Sequence, residues 1–86
     1  MKRQVAVDKK RTFAVTLRPE PEGGFTVRVP ALPEIVTYGE NEAEALAMAK
    51  EAIELSLEHR LAEGEELPPD QPARMLHVTV DVPATA

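Results

Sequence analysis

A chain of 86 residues, 43% hydrophobic, suits one domain with a single core, near the size at which buried area only just offsets chain entropy. The absence of cysteine excludes disulfides, thiolate metal sites and thiol nucleophiles, and two Phe, one Tyr and no Trp argue against stacking platforms for single-stranded nucleic acid. The net charge of −5 is unevenly placed: residues 1–12 carry five basic groups against Asp8, a net +4, whereas residues 13–72 carry four basic groups against thirteen acids, a net −9.

In chain order, residues 1–12 read as a basic N-terminal arm. It is either a solvated terminus or an arm that touches a phosphate or a partner. No apolar run approaches the roughly 20 residues of a membrane span. The polar N-terminus has no apolar h-region of a secretion signal. The expected location is the cytoplasm.

Phe13 to Arg18 alternates, with Phe13, Val15 and Leu17 on one side, and reads as strand one. Pro19 and Pro21 stop it, and Gly23-Gly24 supplies the positive φ values of a tight connection. Phe25 to Val29 alternates again as strand two. Pro30 and Pro33 hold an extended corner around Leu32, because each proline fixes its own φ and biases the residue before it. Ile35 to Tyr38 is strand three. Gly39 ends it.

Asn41 is suited to cap a helix, with Glu44 at the third helical position reaching back. From Glu42 to Glu63 the sequence has no internal Gly or Pro, which predicts a helix of roughly 33 Å at about 1.5 Å per residue. Leu46, Ala49, Ile53, Leu57 and Leu61 form the predicted buried stripe, joined by Ala45 and Ala52. Glu51, Glu54 and Glu58 lie opposite. Met48 and Leu55 widen the apolar face, which suits either a broader core or a contact with another subunit. Gly64 stands where a left-handed C-terminal cap belongs. The proline-rich stretch 65–72 then leads to Arg74–Val82, where Leu76, Val78, Val80 and Val82 alternate with Met75, His77, Thr79 and Asp81. That predicts strand four, leaving 83–86 as a tail.

The predicted fold is α+β, in the order β-β-β-α-β: one four-stranded mixed sheet over residues 13–82 with a single long helix on one face. The fourth strand enters through a right-handed crossover and should lie parallel to strand one or three. The sheet face away from the helix reads as polar, from Thr16, Thr26, Arg28, His77 and Thr79.

The ordered set Gly23, Gly24, Phe25, Pro30, Leu32, Pro33, Gly39, Glu40, Glu44 and Ala45, with Glu51-Ala52-Ile53 in mid-helix, resembles the HicB-like antitoxin domain family over roughly Phe13 to Pro68. The chain departs from the family's pattern at Glu34, where Gly is usual, and at Asn41, where Thr or Ser is usual. The resemblance implies a partial ribonuclease-H-like fold with strand four beside strand one. It also implies a non-catalytic protein that neutralises a small, basic, mRNA-degrading toxin of the HicA kind. Members often add a C-terminal DNA-binding segment. Here the sequence ends four residues after the expected strand four, so operator binding is not expected unless the basic arm supplies it.

The residues offer little for catalysis. His59 and His77 have neither a Cys partner nor the short spacing of a metal pair. Ser56 lies inside the helix with no nucleophile elbow around it. A ribonuclease-H-like enzyme needs clustered acids on strand one to hold two metals, and strand one has none. Gly23-Gly24 precedes a strand and lacks the amide cradle of a phosphate loop. No enzyme activity, metal or cofactor is expected. The acidic body suits steering of a basic partner, with Glu51, Glu54, Glu58, Met48 and Leu55 as candidate partner-facing residues. The competing reading is a stand-alone oligomeric module of the same fold that binds protein or DNA without a toxin. Uncovered sheet edges in so small a domain favour self-association, with a dimer as the default.

Overall fold

The computed structural model describes residues 10–69 and 74–84. Its elements are β1 (Thr16–Pro19), β2 (Phe25–Arg28), β3 (Val36–Gly39) and α1 (Glu42–Ala62). The strands form one antiparallel sheet in the order β1-β2-β3. Thr16 pairs with Arg28 and Pro19 with Phe25, while Phe25 pairs with Gly39 and Arg28 with Val36. The class is α+β, as the periodicities predict.

The hairpin between β1 and β2 closes through Gly23 N–H donating to the Glu20 carbonyl at 2.9 Å and Glu20 N–H donating to the Gly24 carbonyl at 3.0 Å. Gly24 has φ +79, and a Cβ there would overlap the Tyr38 ring and hydroxyl. Two constraints therefore coincide at Gly24, since the backbone is left-handed and the Tyr38 hydroxyl occupies the space as it donates to the Gly23 carbonyl at 3.0 Å. Beyond β2 the chain makes two consecutive turns, with Leu32 N–H on the Val29 carbonyl and Ile35 N–H on the Leu32 carbonyl, both at 2.9 Å. These turns point Leu32 inward, fully buried, with Pro30 and Pro33 outside.

The helix begins as its residues dictate. Asn41 Oδ1 accepts from Glu44 N–H at 2.8 Å, and Glu44 Oε1 accepts from Glu40 N–H at 2.9 Å, one residue earlier than in a standard capping box. At the far end Gly64 has φ +77; its N–H donates to the Leu61 carbonyl and that of Glu65 to the Arg60 carbonyl. This is the Schellman arrangement that satisfies the last free carbonyls of a helix.

The helix lies over β3 and β2. It approaches closely because Gly39 is buried and has no side chain: a Cβ there would overlap the Ala45 backbone. One buried cluster joins Val27, Ala45 and Ala49, flanked by Val15, Leu17 and Phe25. A second joins Val29, Leu32 and Ile35, flanked by Phe13, Val15, Ala52, Ile53 and Leu57.

Three expectations need correction. The innermost helix residues are Ala45 and Ala49, whereas Leu46 and Leu61 remain 50% and 59% exposed. Close approach selects small residues on the helix's centre line and turns the leucines to its flank. Strand one begins at Thr16 rather than Phe13, because β2 ends opposite it at Arg28 and leaves residues 13–15 no ladder partner. Phe13 and Val15 still pack against the core. The predicted fourth strand is not formed: residues 74–84 carry no strand, and every one of them is exposed. The described sheet therefore has three strands. Alternation marks a segment able to join a sheet, but a strand exists only where an edge completes its hydrogen bonds.

Most of the basic arm and residues 70–73 fall outside the described part. Of the arm, Arg11 is described, and its Nη1 donates to the Pro68 carbonyl at 2.8 Å. That bond ties the entry to β1 to the connection leaving α1.

Candidate protein-interaction surface

The motif residues act as scaffold. Gly23, Gly24 and Phe25 shape the hairpin, Pro30, Leu32 and Pro33 the corner, and Gly39, Asn41, Glu44 and Ala45 the start of α1. They do not converge on a pocket; their joint product is a helix held at one height above the sheet with its outer side exposed.

On that outer side, Met48 and Leu55 stand two turns apart and are 37% and 63% exposed. Glu51 and Glu58 each lie three residues beyond one of them, so each acid is its neighbour on the helix surface. The fold thus brings Met48, Glu51, Leu55 and Glu58 onto one exposed flank: a short apolar strip bordered by carboxylates. Glu54 is set apart. Its carboxylate meets Lys50 Nζ at 3.1 Å in an exposed i,i+4 pair, which spends its charge on the helix itself.

Beside this flank is a polar cluster that links the corner to the helix. Glu34 Oε2 accepts from Ser56 Oγ at 2.7 Å and from Arg60 Nη2 at 2.9 Å, and Arg60 Nη1 also approaches Glu65 Oε1 at 3.9 Å. The Arg60 and Ser56 hydrogen bonds stabilise the carboxylate and hold the Glu34 pKa down at about 2. The same carboxylate raises the pKa of Arg60. Together with Leu55, His59 and Glu65, these groups line an open depression of about 440 Å³. With Glu34 bonded to Arg60 and Glu65 beside it, the depression offers no uncompensated positive charge to a phosphate.

Sequence reasoning did not find this brace. Its signal was Glu34 itself, an acid where the family usually has Gly, together with Ser56 and Arg60 one helical turn apart. Nothing in the chain alone shows which helix residues lie over the corner. His59 sits on the rim of the depression and His77 in the exposed C-terminal segment. Among the described residues no group of three or more His, Asp or Glu is arranged to hold a metal ion.

The model of the HicB-like antitoxin of bacterial toxin-antitoxin systems matches residues 13–83. The chain belongs to the HicB-like antitoxin family. The match extends beyond Pro68 and includes the exposed segment 74–82.

Among curated relatives, Antitoxin HicB 1 of Photorhabdus laumondii is 37% identical over 72 residues, covering 84% of this chain and 46% of that protein. Antitoxin HicB of Escherichia coli K12 is 35% identical over 71 residues, covering 83% of this chain and 51% of that protein. The chain thus spans about half the length of these two HicB antitoxins. The UPF0150 protein Ta0767 of Thermoplasma acidophilum is 36% identical over 58 residues, covering 67% of this chain and 84% of that protein. No described helix of this HicB-like chain is long and apolar enough to cross a membrane.

Proposed function

We propose that this HicB-like chain is a non-catalytic antitoxin that binds and occludes a small, basic, mRNA-degrading toxin of the HicA type. The family match over residues 13–83 carries the reading. The physical chemistry is compatible with it. A body of net −9 over residues 13–72 attracts a basic, RNA-binding partner and competes with phosphate for its cleft. The flank of Met48, Glu51, Leu55 and Glu58 supplies apolar area with acids at its border, the division between anchoring core and steering rim seen in protein interfaces.

The test is to co-express the chain with a small basic HicA-type toxin, then measure co-elution and RNA cleavage. A complex with cleavage suppressed, both weakened by Leu55→Glu, is the expected result. No complex together with undiminished cleavage removes the reading. A second reading rests on the UPF0150 protein Ta0767, of which this chain covers 84%. The same fold would then serve as a stand-alone oligomeric binding module.

A further inference from the structure

The sheet is covered unevenly. The helix lies over β3 and β2, so its far flank overhangs the β1 side. Along that flank Leu46, Ile53, Leu57 and Leu61 fall on one helical line, with Leu46 and Leu61 50% and 59% exposed. Below it, Phe13, Val15 and Leu17 are only half-buried, and among the described residues β1 is an edge strand paired with β2 alone. An apolar trough therefore runs beside β1, whose outer edge has no strand against it among the described residues, the kind of edge that recruits another strand.

The segment matched to this trough is in the same chain. Leu76, Val78, Val80 and Val82 alternate along it and are 74%, 84%, 69% and 84% exposed. The chain does not fold the segment back onto its own edge. The Arg11 to Pro68 bond at 2.8 Å holds the connection beside the entry to β1, and Pro69 just beyond that bond fixes its own φ. The Cα radius of gyration is 17.2 Å, against about 12 Å for a compact chain of this length. Each chain thus carries an unfilled trough and an unplaced strand that fits it.

We propose that two copies exchange residues 74–82, each laying its alternating segment along the free β1 edge of the other and completing a four-stranded sheet in trans. A second copy is favoured over an unrelated partner because a two-fold exchange covers both exposed surfaces at once. A foreign strand on β1 would leave Leu76, Val78, Val80 and Val82 in water. The inference does not depend on a toxin.

The chain has no native cysteine, so introduced thiols report cleanly. Thr16→Cys and Thr79→Cys chains, one carrying a mass tag, are unfolded together, refolded and oxidised, with His77→Cys and Asp81→Cys replacing Thr79→Cys in turn to scan the register. Exchange predicts a disulfide joining the two differently tagged chains, and light scattering of the unmodified protein at the dimer mass. Val78→Glu with Val80→Glu should return it to a monomer with its helical circular dichroism intact. The proposal is overturned if no register yields the mixed disulfide, if the double variant Thr16→Cys/Thr79→Cys instead closes within one chain, or if the native protein scatters as a monomer. The disulfide result stands even if the glutamate variant fails to fold.

Discussion

Replacing Glu34 with Gln keeps the side chain's length and removes the charge that ties the corner before β3 to the C-terminal half of α1. In the native chain the Arg60 guanidinium and the Ser56 hydroxyl hold the Glu34 pKa at about 2 instead of 4.5. Because the folded value lies below the unfolded one, the stabilisation is complete above the unfolded pKa and is lost as pH falls through the folded one. The Glu34 side chain is 47% exposed, and solvent screening holds the contribution to about 1 kcal/mol. For a domain of this size that corresponds to roughly 5 °C in Tm. The assay is urea unfolding of both chains, followed by helical circular dichroism from neutral pH downward. Other carboxylates protonate in both proteins, so the difference between the two isolates Glu34. The gap should be about 1 kcal/mol at neutral pH and should have lost more than half its size by about pH 3. A gap that stays constant with pH, or that is absent at neutral pH, refutes the brace.

Three other substitutions test the scaffold. Gly39→Ala places a methyl group on the Ala45 backbone, which cannot rotate away, so the start of α1 must lift; about 2 kcal/mol and a Tm lower by about 10 °C are expected in thermal melts. Asn41→Ala removes the acceptor of Glu44 N–H and should cost about 1 kcal/mol, whereas Asn41→Ser should stay near the native value. Leu32→Ala empties a fully buried corner position and should cost about 3 kcal/mol, a large part of the roughly 5–10 kcal/mol available to so small a domain; urea midpoints that barely move would show that the corner is not part of the core.

Local chemistry was readable from the chain wherever the controlling interaction spans a few residues. Asn41 and Glu44 start the helix, Gly64 ends it, and Gly23-Gly24 turns the hairpin, because each solves a backbone problem within about one turn of itself. The tertiary structure decided how far the elements sink into one another. Ala45 and Ala49, rather than Leu46 and Leu61, face the sheet because Gly39 lets the helix come close, a distance that no periodicity encodes. Glu34 found Ser56 and Arg60 only when the corner was placed beside the C-terminal half of the helix. Alternation over residues 74–82 announced a strand yet could not name its neighbour, since that depends on which free edge the segment reaches. In this protein the local bonds were written in the residue order, and the long-range pairings were settled by the spacing of helix and sheet in three dimensions.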